Sequence, residues 1–217
     1  MPASPLRGLS VLITSGPTRE PLDPVRFLTN ASSGAMGYAL AAAARSLGAR
    51  VTVVSGPTAL SAPRGVAVVP VVTALQMRRE TLKRSRGAAL VIGAAAVSDW
   101  RFASVAKHKV KRTSGLRRLT VVPNPDIIKE AASRRRRGQV FVGFALETRA
   151  AERRARAKLA EKGLDLVVAN GPANISSGRA RVVLVTHAGA RRIPEGTKAR
   201  VAREIVAEAV RHLEPGA

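Results

Sequence analysis

Apolar runs of four to six residues alternate along the chain with longer amphipathic segments, the pattern of a parallel sheet covered by helices on both faces. The pattern predicts strands over 10–14, 50–55, 66–69, 89–93, 119–122, 140–145, 164–169 and 182–186. Between them it predicts helices over 34–47, 74–84, 125–136, 149–162 and 198–213. The expected fold class is α/β, a Rossmann-like, doubly wound, mostly parallel sheet with helices on both faces, formed by residues 1–217 as one domain. Asn124-Pro125-Asp126 reads as a helix start with Asn124 as the cap and Pro125 in the first helical position. Arg134 to Arg137 fall where that helix should end and where cations suit the dipole. The segment 101–118 breaks the pattern, with seven Lys or Arg, His108 and no acid, and is expected to be a mobile basic loop outside the core.

The run Thr29-Asn30-Ala31-Ser32-Ser33-Gly34-Ala35-Met36-Gly37 puts small hydroxyl residues and glycines at the start of a helix. The first N–H groups of a helix have no intrahelical acceptor, the dipole is positive there, and glycine lets an anion approach the backbone, so this is how a phosphate site is built. The plain alternative is an ordinary serine N-cap. The apolar run 9–14 just upstream favours the phosphate reading, because it makes the segment part of one βα unit. Two matching tetrapeptides, Ser15-Gly16-Pro17-Thr18 and Ser55-Gly56-Pro57-Thr58, each follow a strand and should lie at the carboxyl edge of the sheet, where open α/β folds place ligands.

Composition narrows the chemistry. With no cysteine there is no disulfide, no thiolate metal site and no thioester on the protein itself. No apolar run approaches the length of a membrane span and the first eight residues lack a signal-peptide core, so a soluble, cytoplasmic protein is expected. The net charge of +23 raises the question of a polyanion partner. However, 29 arginines against 8 lysines and only six aromatics describe a solvated basic surface with few stacking platforms, and no specific nucleic acid is expected.

Hydride transfer finds no support. Gly16, Gly34 and Gly37 do not make G-x-G-x-x-G, and the second strand ends at Val54-Ser55-Gly56 without an acid or arginine for a ribose. Asp99, one of four aspartates, follows the apolar run 90–97 and suits either a magnesium ion beside phosphates or a simple cap. Lys107, Lys109 and Lys111 alternate, so an extended backbone points them to one side. Lys158 and Lys162 share a helix face. His108, His187 and His212 are scattered and read as surface residues.

Taken in order, these blocks resemble phosphopantothenoylcysteine synthetase, the phosphopantothenate-cysteine ligase domain of the bacterial coenzyme A biosynthesis bifunctional protein. The blocks are 13–27, Asn30 with Ser32-Ser33-Gly34 and Met36-Gly37, Ala94-Ala95-Ala96-Val97-Ser98-Asp99-Trp100, Lys109-Val110-Lys111-Arg112, Asn124-Pro125-Asp126, Gly143-Phe144-Ala145, and Lys158 to Lys162 leading to Asn170. The resemblance implies ligation of 4′-phosphopantothenate to cysteine through an acyl-nucleotidyl intermediate, with CTP (or ATP) as co-substrate and Mg²⁺. It implies that Asn30 contacts the acyl carbonyl and that Lys109 stabilises charge during nucleotidyl transfer. Arg26, Ala95, Ala96 and Asp99 fall on the phosphopantothenate side, with Asp99 also toward the metal. Gly16, Ser32, Gly34, Gly37, Phe144, Lys158, Lys162 and Asn170 fall on the nucleotide side. A homodimer is implied, with Arg26 reaching the neighbouring protomer's substrate, as is a flavin-dependent phosphopantothenoylcysteine decarboxylase partner, here not part of the chain. Ala31 and Ala35 replace larger residues, and 171–181 is shorter than the usual loop. A protein that keeps the fold and binds nucleotide or nucleic acid without catalysis is the alternative.

Overall fold

The strand β1, Ser10–Ser15, is buried on both faces and lies inside the sheet, two strands in from one edge. The computed structural model describes residues 4–111, 118–147, 150–175 and 177–213. β1 pairs in parallel with β4 (Arg50–Ser55) on one side and β6 (Leu90–Gly93) on the other. β5 (Ala67–Pro70) extends the first side. On the second side, β9 (Val140–Leu146) and β10 (Leu166–Asn170) follow in parallel, and β11 (Arg179–Thr186) and β12 (Gly189–Thr197) close the sheet as an antiparallel hairpin. Strand order reverses between β1 and β6, which is where a doubly wound sheet opens a crevice at its carboxyl edge.

Strand pleating sorts the core into two layers. Val11, Ile13, Val51, Val53, Leu90 and Ile92 turn to the face covered by α1 (Ala35–Ser46) and α5 (Lys198–Arg211). Leu12, Val54, Val91, Phe141 and Val167 turn to the face covered by α2 (Ala74–Ser85), α3 (Ile127–Ala132) and α4 (Ala151–Lys162). The helix α5 buries Val201, Ile205 and Val206 completely. Each such side chain contributes about 1.5–3 kcal/mol, so the last helix is a full member of the core. Among the described residues, no helix is long and apolar enough to cross a membrane.

The fold class expected from the pattern is the one observed, with four differences in detail. Two short ribbons, β2 (Arg19–Pro21) with β3 (Phe27–Thr29), and β7 (Trp100–Phe102) with β8 (Val121–Pro123), stand outside the main sheet. The expected strand at 119–122 therefore belongs to a ribbon, not to the core. The basic segment expected to loop from 101 begins instead in β7, and its residues 112–117 lie outside the described residues. The cap of α3 is Asp126, whose carboxylate accepts the Lys129 N–H at 3.1 Å. Asn124, expected to be the cap, instead donates its amide to the Ser98 carbonyl at 2.9 Å and ties down the turn after β6. Finally, β12 was not anticipated, because only Ile193 and Gly196 along it are buried and no alternation marks it.

Candidate functional site

Residues 16–34 lie between β1 and α1 and carry the β2–β3 ribbon, yet the glycines on either side meet in space. A Cβ on Gly34 would lie 3.4 Å from the Gly16 Cα, and one on Gly37 would lie 2.2 Å from the Ser15 Oγ. The helix α1 therefore rests directly on the end of β1, a closeness that only glycine at 37 permits. Gly34, in the left-handed region at φ 78°, is the N-cap residue of α1 and has no side chain to cap it. The N-cap residue is thus a glycine and not a serine, although the Ser32 hydroxyl accepts the Gly34 N–H at 3.3 Å and the Ser33 hydroxyl the Ala35 N–H at 3.4 Å.

Two adjoining cavities open at this edge, one of about 610 Å³ and one of about 170 Å³. They share the wall formed by Ala31, Ala95, Ala96, Phe144, Leu146 and Ile175. Ala95 and Ala96 are held there because the turn after β6 continues the pairing with β1: the Ala96 N–H donates to the Gly16 carbonyl at 2.9 Å, and Pro17 bridges to Ala96. Asn30, Asp99, Lys158 and Lys162 line the larger cavity. Ser32, Gly34, Gly37 and Asn170 line the smaller one, and Phe144 lies on the boundary. Gly16, Arg26 and Lys109 line neither. Gly16 supports the turn beneath α1, while Lys109 is exposed.

The cations of the larger cavity are set in place by carboxylates. Lys158 pairs with Glu147 at 2.9 Å and Lys162 with Asp126 at 2.7 Å. Burial alone raises the Glu147 carboxyl, but hydrogen bonds from Lys158 and Arg154 outweigh it and hold the group below the usual carboxylate range. Asn30 donates its amide to the Val97 carbonyl at 2.9 Å, which fixes its orientation against the cavity wall. The motif signals had pointed to these positions except for Asp126, noted only as part of a helix start, and Lys198, which lines the smaller cavity without any local sequence mark.

Arg26 lies outside both cavities because it is committed elsewhere. Its guanidinium pairs with the buried Asp23 and donates to the Val110 carbonyl at 2.8 Å, while the Val110 N–H donates to Asp23 at 3.1 Å. Asp23 also accepts the N–H groups of Val25 and Arg26, both at 2.9 Å. The Arg26 hydrogen bond, more than any other contact, holds the Asp23 carboxyl well below its usual range. A carboxyl depressed by folding contributes stability that is complete above its unfolded value, about 3.9, and is lost as pH falls through the folded value. Asp23→Asn is therefore expected to lower the melting temperature at pH 7 and to flatten its decline between about pH 5 and pH 2. The decline does not vanish, because Glu80, Glu130, Glu147 and Glu161 are also depressed. Thermal unfolding across that range checks it, and parallel curves for variant and parent count against the assignment.

A profile of the DNA/pantothenate metabolism flavoprotein C-terminal domain family matches residues 6–213. The chain belongs to this family. It is 48% identical over 169 residues to the coenzyme A biosynthesis bifunctional protein CoaBC of Bacillus subtilis, covering 77% of this chain and 41% of that protein. Similarity to the CoaBC protein of Escherichia coli K12 is 46% over 181 residues, covering 82% of this chain and 44% of the relative. The chain thus spans about half the length, or less, of the curated relatives it matches. The crystal structure of a CoaBC C-terminal domain superposes with a TM-score of 0.84 at 38% identity, covering 97% of this chain and 98% of that one. The family resemblance carried by the motifs is borne out, and this family's fold is the one described above.

Proposed function

We propose that this member of the DNA/pantothenate metabolism flavoprotein C-terminal domain family ligates 4′-phosphopantothenate to cysteine, with CTP favoured over ATP as the activating nucleotide. The substrate carboxylate attacks the α-phosphorus, pyrophosphate leaves, and an acyl-nucleotide forms. The cysteine amine then attacks the acyl carbonyl, loses a proton and expels the nucleoside monophosphate. The observation that carries this reading is the pair of adjoining cavities at the switch point of the sheet, with Asn30 in one and the glycine-and-serine start of α1 at the other. Such chemistry needs no covalent residue on the protein; it needs two substrates held in line and donors where charge develops.

In this reading the smaller cavity takes phosphates at the start of α1, with Phe144 and Asn170 beside it and Lys158 and Lys162 on the adjoining wall. Asn30 polarises the acyl carbonyl. Lys109 neutralises developing charge when its loop approaches, and Gly16 serves through the turn it builds. Mg²⁺ fits the donor set in one way only. No cluster of three His, Asp or Glu residues exists among the described residues, but Asp99 stands on the cavity wall with no ion-pair partner among them. A magnesium ion shared between Asp99 and nucleotide oxygens matches that ion's habits, and it would supply charge neutralisation on the phosphates.

The reading also takes a second copy of this chain on the two ribbons, where Val25, Phe27, Trp100, Val105 and Val121 are all 45% exposed or more. In this reading Arg26, in the turn between β2 and β3, exchanges its hold on Asp23 for the neighbouring protomer's substrate. Sedimentation is expected to return the mass of two chains, and a monomer at micromolar concentration counts against it. The product is the substrate of a flavin-dependent decarboxylase, fused or separate, and a cytoplasmic location follows from that pathway. The test is pyrophosphate release with phosphopantothenate and Mg²⁺, comparing CTP with ATP, with and without cysteine. Cysteine-stimulated release with CTP is the expected result. No release with either nucleotide, despite nucleotide binding, leaves a non-catalytic binding protein.

A further inference from the structure

Lys198 is the first residue of α5 and comes from the far end of the chain, yet its side chain lines the smaller cavity together with Ser32, Gly34 and Asn170. Its surroundings differ from those of Lys158 and Lys162, each of which has a carboxylate within 3 Å. No described residue forms an ion pair with Lys198, and no Asp or Glu lines this cavity. Burial is the one influence on its ammonium, and it favours the neutral form. A half-buried cation without a counter-charge is stabilised by an anion that arrives from outside.

Asn170, another residue of this lining, has a buried Oδ1 with no hydrogen-bond partner, an acceptor that suits a donor group of a nucleotide and leaves the phosphate oxygens to Lys198. The base of Lys198 is also fixed. Its N–H donates to the Gly178 carbonyl at 3.1 Å, and the preceding Thr197 hydroxyl accepts the Arg200 N–H at 3.2 Å. The helix it opens is anchored on the core through Val201 and Ile205. Lys198 thus joins the cavity lining from a rigid backbone mount, which reduces the ordering cost of binding.

We infer that Lys198 binds a phosphate group of the nucleoside triphosphate in the smaller cavity, adding the last helix to the nucleotide site. The inference rests on the ligase reading above. A lysine–phosphate contact is charge-assisted, and its loss corresponds to a weakening of roughly tenfold or more in affinity. It also accounts for how a site with a short 171–181 loop retains a cation on that side.

The experiment is equilibrium binding of CMP, CDP, CTP and 4′-phosphopantothenate, each alone, to the parent, Lys198→Met and Lys198→Arg. Methionine keeps the aliphatic stem, and circular dichroism with thermal unfolding verifies the fold of each variant. Should the methionine variant unfold, Lys198→Gln replaces it. The expected result is that the neutral variant loses tenfold or more in CTP affinity and little in CMP affinity, that arginine restores most of the loss, and that phosphopantothenate binding is unchanged. An equal loss for CMP and CTP, no loss at all, or a loss confined to phosphopantothenate overturns the inference. If the parent itself binds no nucleoside triphosphate, it is the ligase reading that fails, and with it the premise used here.

Discussion

Asn30→Asp is expected to lower amide formation by at least about a hundredfold and to leave nucleotide affinity within about threefold. The amide of Asn30 holds the Val97 carbonyl with one N–H, and in the proposed reaction its second N–H hydrogen donates to the developing oxyanion. Aspartate removes both donors and sets a negative charge against the same carbonyl. Loss of one preorganised donor to an oxyanion typically costs about 10²–10³ in rate. Nucleotide affinity survives because Asn30 lines the larger cavity and takes no part in the smaller one at the start of α1. Rapid-quench kinetics separates the two half-reactions: the acyl-nucleotide should accumulate while its consumption by cysteine stalls. Turnover at the parent rate would remove Asn30 from the chemistry.

Asn30 was legible in the sequence because it sits in a dense motif beside an obvious βα unit. The parallel core was legible for a related reason. Strands buried on both faces, such as β1 and β9, read as unbroken apolar runs, and that signal is local. The ribbons were not legible, because β3 is exposed throughout and three-residue strands leave no periodicity. Asp126 was displaced by a neighbouring and equally plausible cap, Asn124, and only the pull of Ser98 on the Asn124 amide decides between them. Lys198 could not be read at all. It reaches the cavity only because the β11–β12 hairpin reverses the chain twice, so that α5 starts at the same edge of the sheet as α1. The separation of Gly16 from Gly34 likewise hid a glycine cluster that exists in space but not in the order of residues.

Gly56→Ala is the substitution expected to damage the fold most. A Cβ at this position would lie 1.8 Å from the Pro17 carbonyl oxygen, a backbone atom that cannot rotate away as a side chain would. The Gly56 N–H is itself held by the Ser15 carbonyl at 2.9 Å, so neither side has room to yield. Overpacking at a buried contact costs about 1–3 kcal/mol when side chains can adjust, and a backbone collision belongs at or above the upper end. A loss of about 3 kcal/mol lowers the melting temperature of a chain this long by roughly 6–12 °C. The effect should reach the site as well: Pro17 bridges to Ala96, which walls both cavities, so nucleotide affinity should fall along with stability. Gly87→Ala is the control, because an added methyl there meets nothing within 4 Å. Calorimetry of the two variants side by side decides the matter, and equal melting temperatures would show that the loop after β1 is softer than it looks.

The partnership of α1 and α5 governs the order in which this domain can be completed. During synthesis α1 emerges long before residues 198–211, so the flank it packs against α5 waits for that helix to leave the ribosome. Until then the side of α1 that meets α5 is open to water or to a chaperone. Closure joins segments more than 150 residues apart, which makes it a slow and late event. A nascent chain halted before α5 therefore carries the motifs at 30–37, 94–99 and 124–126, but lacks Lys198 and the helix that backs α1.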